Sequence, residues 1–298
     1  MLSLAAFRYR NVLASAGGPI DRLEIADVRV LGERRFLANA YLVKDLAGNR
    51  EGNTLYSRAN GSGTAASPMV ARFMAISEAM ERWAHWELHN SPEGRKYGFD
   101  VDPSSNGLAA FPGLWRRQAR RGALLEAAER FNLLHWWEGR LSARESETRW
   151  PGVRAATICS EAPGITVILF KRTEAGLFAY GHAAATDFDA ACRKAAIEME
   201  RHEQVVARFA LSHAGKVRDQ LPAGAHPLER RSLFFALDEG HELFLARLRS
   251  PARATAELKL VYDGPVPGPW SRYADVWRVV YAPPSRRFLG LEENYFML

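Results

Sequence analysis

Glu78-Ala79-Met80-Glu81-Arg82 decides the reading of this chain, because the pattern returns. Glu126-Ala127-Ala128-Glu129-Arg130 repeats its spacing in full, and Glu198-Met199-Glu200-Arg201 repeats it in part. On an α-helix, positions i, i+3 and i+4 share one face, so each full set projects two carboxylates and a guanidinium together. A single set would be an ordinary exposed ion pair, contributing about 0.2–0.5 kcal/mol. A second full copy shifts attention to the flanks.

Upstream of the first set lies Asn60-Gly61-Ser62-Gly63-Thr64, read as a glycine-rich turn, and then Ser67-Pro68, a natural N-cap and first helical residue. From there a helix is expected to about Leu88. Phe73, Ile76, Met80 and Trp83 form its buried arc, with Glu78, Glu81, Arg82 and His85 on the other side. A glycine-rich turn feeding a helix can offer backbone N–H groups to a phosphate. No Gly-Lys-Ser/Thr follows, so it is not a Walker A sequence. His85 and His89 are spaced for a metal, but the metalloprotease pattern needs a Glu where Trp86 stands. They are read as ordinary polar positions.

The remaining chain alternates strand blocks and long helices. Leu23–Leu31 and Phe36–Val43 carry strand patterns around a turn at Gly32-Glu33-Arg34-Arg35, and Asp45–Asn53 reads as loop. Ser91–Val101 is loop-like and Ser104–Ala110 turn-rich, and a second helix is expected from about Leu114 to Trp137. Ala155–Cys159 and Ile165–Lys171 read as strands around Pro163-Gly164. Thr186-Asp187 caps a third long helix that stops at Gly215. Leu221–Leu248 reads as part irregular and part helical, and Leu258–Tyr262 and Val276–Tyr281 as late strands. No short βαβ repeat recurs. The expectation is therefore α+β, mixed sheets with long helices, in a single domain over residues 1–298.

Composition narrows the class. At 298 residues and 47% hydrophobic, the chain can bury a full core, and 25% charged residues are ordinary for a folded domain. Forty basic against 34 acidic side chains leave a formal charge of +6, which favours anionic ligands but is spread along the chain. No nucleic-acid-binding motif accompanies it. Cys159 and Cys192 form no CxxC pair, so neither a zinc site nor a disulfide framework is expected. No run of 18 apolar residues suggests a membrane span, and the opening Met1–Phe7 is too short for a signal peptide. A cytoplasmic protein is expected.

Two stretches carry a specific likeness. Gly63 through Arg82, with its helix bearing the first Glu/Glu/Arg set, resembles the first nucleotide motif of the YcaO family. Ser105-Asn106-Gly107-Leu108-Ala109-Ala110, followed by the second set, resembles the next motif of that family. Gly181-His182-Ala183, Asp187 and the helix through Ala196 and Glu198 are similar to a third. The order holds over roughly residues 10–290. The resemblance implies a YcaO-like fold, with ATP and Mg2+ as cofactors and the glutamates Glu78, Glu81, Glu126 and Glu129 on the metal. It places Ser62, Arg82, Asn106, Gln118, Arg130, Glu198 and Arg201 at the nucleotide, with Arg130 on the phosphates. It names no catalytic base.

The activity implied is O-phosphorylation of a peptide backbone amide, which turns a poor leaving group into a good one. A side-chain nucleophile then gives an azoline, sulfide a thioamide, an amine an amidine, and water a cut chain. The implied partners are a ribosomally made precursor peptide, a protein for leader binding or sulfur delivery, and a second copy of the chain. Gly290–Leu298 lacks the proline-rich tail of many azoline formers, which favours thioamidation or hydrolysis. Departures carry the alternative expectation, a noncatalytic YcaO-like subunit that binds peptide or partner. A family glutamate is Gln118 here, a Gly-Asn pair is replaced around Phe111–Leu114, an aspartate is Phe131 and a glutamine is Arg201.

Overall fold

The alternating segments near the N-terminus form a hairpin of β1 (Ile20–Val30) and β2 (Glu33–Leu42), antiparallel from Val30↔Glu33 to Ile20↔Leu42. Its turn is Leu31-Gly32, both at positive φ (46° and 83°), so the second strand begins within the stretch expected to be the turn. The computed structural model describes residues 3–48, 58–212 and 226–296. Part of the loop expected over Asp45–Asn53, the start of the Leu221–Leu248 segment and the helix stop expected at Gly215 lie outside the described residues. The fold is mixed α+β, with small antiparallel sheets and long helices, and it divides into two compact units. Unit 1 takes residues 3–48, 58–127 and 259–282; unit 2 takes 128–212, 226–258 and 283–296.

In unit 1, β3 (Gly61–Ala65) adds to the hairpin in the order β1-β2-β3. The glycine-rich stretch is thus a strand and not a turn. Its glycines serve packing: a Cβ on Gly61 would sit 2.1 Å from the Ala75 carbonyl, and one on Gly63 2.2 Å from the Ala71 carbonyl. Their absence lets α2 (Pro68–Leu88) lie directly on the strand. Ser67 is extended at the N-cap position, yet its hydroxyl makes no cap bond. The buried arc of α2 holds the alanines Ala71, Ala75, Ala79 and Ala84 beside Ile76, Met80 and Trp83, while Phe73 is only half-buried. His85 belongs to that arc and is not on the polar side: its ring is buried, with Nε2 2.9 Å from the Pro103 carbonyl.

A second sheet of unit 1 runs β4-β10-β9, with β4 Leu108–Phe111, β9 Leu260–Pro265 and β10 Asp275–Tyr281. β4 falls in the segment expected to be turn; four residues of LAAF are too few to show alternation. α3 (Arg117–Trp137) begins after Leu114, not at it, and its early turns pack Ala123 and Ala127 on Val279.

Unit 2 is built on a four-stranded meander, β5 (Ser142–Glu147), β6 (Arg154–Cys159), β7 (Ile165–Arg172) and β8 (Phe178–Ala185). β6 and β7 match expectation; β5 and β8 had no clear signal, being respectively charged and alanine-rich. β7 buries Thr166 through Phe170 without a break, so both sheet faces are covered. One face carries α4 (Phe188–Ser212), whose start is capped as expected: Ala190 N–H donates to Asp187 Oδ1 at 2.8 Å. The other carries an aromatic cluster that includes Trp136, Phe170, Tyr180, Phe235, Phe244 and Phe296. The segment expected to be partly irregular contributes two helices here, α5 (Pro227–Ala236) and α6 (Asp238–Arg249).

The units share a local construction. A Cβ on Gly181 of β8 would lie 2.2 Å from both the Ala195 carbonyl and the Met199 nitrogen of α4. Gly61 meets the Ala75 carbonyl and the Ala79 nitrogen of α2 in the same way, at 2.1 and 2.4 Å. Every residue of the second contact is displaced by 120 from its counterpart in the first. The same displacement carries Ser67 to Asp187 and Glu78 to Glu198, so each unit holds one copy of a strand–cap–helix element.

Candidate functional site

The carboxylates of the first set reach strands. Glu78 accepts the backbone N–H of Ser62 on Oε2 at 3.0 Å, and its Oε1 lies 3.7 Å from Arg82 Nη2. Ser62 also uses its hydroxyl, 2.8 Å from Asn39 Oδ1. Arg82 donates through Nη1 to Ser105 Oγ, which ties α2 to the loop before β4. Asn106 follows in that loop, with its N–H held by Ser104 Oγ at 3.3 Å. Ser62 is therefore bonded to α2 through Glu78, Arg82 projects from α2 to Ser105, and Asn106 lies in the loop that Arg82 holds. Ser105 opens the second motif stretch but was given no role from the sequence, since a serine in a turn carries no signal of its own.

Glu81 accepts the Ala110 N–H on Oε1 at 2.7 Å and leaves Oε2 without a hydrogen-bond partner among the described residues. Burial pushes its carboxyl well above the ordinary carboxylate range. The Glu126 carboxylate adds to that shift, the Ala110 bond opposes it, and Glu78 and Arg82 act more weakly in opposite senses. Glu126 and Glu78 thus both act on the Glu81 carboxyl within unit 1. Gln118, also in unit 1, is 9% exposed, and its Oε1 is buried with no hydrogen-bond partner. An orphaned acceptor of this kind is rare in a folded interior and marks a place where a donor belongs.

In unit 2 the expected residues have other neighbours. Glu129 has both oxygens occupied: Oε1 faces His182 Nδ1 at 2.7 Å and Oε2 accepts the Ala184 N–H at 2.7 Å. Arg130 lays its guanidinium over the Phe288 ring, 4.7 Å from the centroid. Glu198 and Arg201 form a surface pair at 2.9 Å, and Glu200 of the same helix bridges to Lys171 at 3.0 Å. Phe131, standing where the family has an aspartate, is buried with its ring 4.0 Å from that of His135. His182 is the residue whose role the sequence least announced; only its position on β8, opposite Glu129, reveals it.

Among the described residues no three His, Cys, Asp or Glu side chains stand close enough to form a ready-made metal group. In unit 1, Glu78 and Glu81 each give one oxygen to a strand; the other oxygen of Glu78 faces Arg82 and that of Glu81 has no hydrogen-bond partner among the described residues, and carboxylate oxygens are the donor type a hard cation takes. No family model matches the chain, and no curated protein does. No helix among the described residues is long and apolar enough to cross a membrane.

Proposed function

We propose that this chain is an ATP- and magnesium-dependent enzyme of the YcaO kind, activating a backbone amide during maturation of a ribosomally made peptide. One observation carries the reading. Glu81 is half-buried, gives one oxygen to the Ala110 N–H and feels the Glu126 and Glu78 carboxylates, so a proton or a cation at its other oxygen relieves the repulsion. Magnesium would be held in unit 1 by Glu78, Glu81 and Glu126. When bound, it would neutralise phosphate charge and polarise the phosphoryl oxygens.

The chain's own residues then position and bind. Arg82, steadied by Ser105 and Glu78, supplies a guanidinium suited to phosphate oxygens. Gln118, at a position the resemblance gives to the nucleotide, has an unpaired buried oxygen that a small side-chain movement would bring to a donor. In the reaction, a nucleophile adds to the amide carbon and the carbonyl oxygen takes the γ-phosphoryl group, releasing ADP. With sulfide from a partner protein, the C–O bond then breaks with loss of phosphate and leaves a thioamide. With water, the C–N bond breaks instead: the amine leaves with a proton, and the remaining acyl phosphate is hydrolysed to a carboxylate and phosphate, giving a cut chain. Azoline formation is the less favoured outcome. The test is ATP turnover by the purified protein with and without peptides encoded beside its gene. Peptide-stimulated ADP release supports the reading; absence of any ATP binding removes it.

A second reading is a noncatalytic subunit that binds the peptide or a partner. It draws on the strand contacts of Glu78, Glu81 and Glu129, each of which gives these residues a structural use. ATP binding without turnover, in the presence of the encoded peptide, would favour it.

A further inference from the structure

Unit 1 contains a cleft of about 420 Å³ that none of the nucleotide residues lines. Its walls come from the N-terminal segment around α1 (Ala5–Arg8), from Gly113 and Leu114 after β4, and from the chain entering β10. Arg8 builds the framework: it donates to the carbonyls of Ser271 and Gly113, at 2.7 and 3.3 Å, and to Asp275 at 3.1 Å. Asp275 is the one acidic residue lining the cleft, and it also lies 3.8 Å from Arg116. Its charge is answered within the protein.

Two other arginines have no such answer. Arg10 and Arg272 form no ion pair with any described residue and rest against rings, Arg10 4.7 Å from the Phe7 centroid and Arg272 5.6 Å from that of Tyr273. Stacking uses the face of a guanidinium and leaves its edge N–H groups for an anion. Beside them the cleft exposes large apolar surface: Phe7 is 62% exposed and Leu114 53%, and Trp115 next to it is 51%. Solvent-facing apolar residues grouped at a cleft mark a binding surface more often than isolated ones do.

We infer that this cleft binds an extended peptide segment in which acidic and aliphatic side chains alternate. Two cations without internal ion pairs beside exposed apolar side chains match the carboxylates and the aliphatic groups of such a segment. A small phosphate would engage the arginines and leave Phe7 and Leu114 in water. No glycine nest or long-helix N-terminus lines the cleft to cradle one. That the peptide is the enzyme's own substrate rests on the reading above; the charge and shape of the cleft do not.

The experiment uses the full chain and a fluorescein-labelled synthetic peptide of alternating leucine and glutamate, with a leucine/glutamine peptide as control. Fluorescence anisotropy gives both affinities for the wild type, Arg10→Glu/Arg272→Glu, the milder Arg10→Gln, and Leu114→Asp; circular dichroism confirms that each is folded. The acidic peptide should bind at least about tenfold more tightly than the neutral one, and the double reversal should lose at least that factor. Arg10→Gln and Leu114→Asp should each weaken binding several-fold, and salt should weaken the acidic peptide alone. Equal affinities for the two peptides, an unaffected double variant, or full displacement by inorganic pyrophosphate would overturn the proposal, the last by making this a small-anion site. ATP turnover is measured on the wild type separately: its absence counts against the enzymatic reading and leaves the cleft standing.

Discussion

The backbone N–H of Ala110 donates to Oε1 of Glu81 at 2.7 Å, so a helix carboxylate closes the outer side of strand β4. The relationship recurs. Glu78 takes the Ser62 N–H of β3, and Glu129 takes the Ala184 N–H of β8. Each of these three strands stands at the end of its sheet order, where N–H groups would otherwise be unpaired. The repeated Glu/Glu/Arg spacing therefore has an architectural meaning independent of any ligand. A carboxylate acceptor also makes a stronger bond than a neutral one. Function must be separated from that architecture by experiment.

Glu81→Gln makes the separation. Glutamine keeps an oxygen for Ala110 while removing an ionisable group pressed by Glu126 and Glu78. Without metal, the variant should melt at the wild-type temperature or above it, because like-charge repulsion and desolvation are both relieved. ATP turnover should fall by at least about tenfold, and magnesium–ATP should no longer raise the melting temperature. A lower melting point with unchanged turnover would confine Glu81 to the fold.

Gly61→Ala and Gly181→Ala test the shared strand–helix contact. Each added methyl would approach helix backbone at 2.1 or 2.2 Å, and backbone cannot swing aside as a side chain can. Each change should destabilise its unit by about 1–3 kcal/mol or more, read from urea unfolding. Tolerance at Gly181 with damage at Gly61 would show that the two contacts are not equivalent.

The long helices were legible because alternating apolar and charged faces recur over many turns, as in α2 and α4, and because Asp187 is a cap with its own chemistry. The strands at sheet ends were not. β3 (GSGTA) and the second half of β8 (His182–Ala185) are rich in glycine, alanine and other small residues, and Gly61, Gly63 and Gly181 admit a helix at close range, so few of the branched and aromatic side chains that announce a strand are present there. β4 is too short for alternation to register. The resemblance implied a cluster of Glu78, Glu81, Glu126 and Glu129; the structure shows Glu126 and Glu78 acting on Glu81, and Glu129 turned to His182 and Ala184. His182 and Ser105 depend on which strand or loop lies opposite which helix, and nothing local to either residue records that.

His202 predicts an acid-labile unit 2. Its Nδ1 accepts the Tyr180 N–H at 3.0 Å and its Nε2 faces the Ser232 carbonyl at 3.2 Å, a pattern that requires the neutral ring. Burial is the main cause of a pKa lowered from 6.5 to about 4, opposed by the Ser232 contact and aided weakly by His182. The unfolded chain takes up the proton first, so stability is full above pH 6.5 and declines as pH falls from 6.5 towards 4. The loss should reach about 3 kcal/mol, at 1.36 kcal/mol per unit. Urea midpoints measured across that window should drop for the wild type and drop less for His202→Gln. A ring that titrates near its ordinary value by NMR would contradict this assignment.

Arg130→Lys addresses the one arginine that the resemblance places on phosphate. In unit 2 its guanidinium lies 4.7 Å over the Phe288 ring, a contact that a lysine ammonium can partly replace. Stability should therefore change by no more than about 1 kcal/mol. Phosphate binding is less forgiving, since a planar fork can grip two oxygens and an ammonium presents a point charge. The KM for ATP should rise and turnover fall by about tenfold or more, with the protein still folded. Wild-type kinetics in a destabilised variant would reverse the assignment and leave Arg130 as a cover for Phe288.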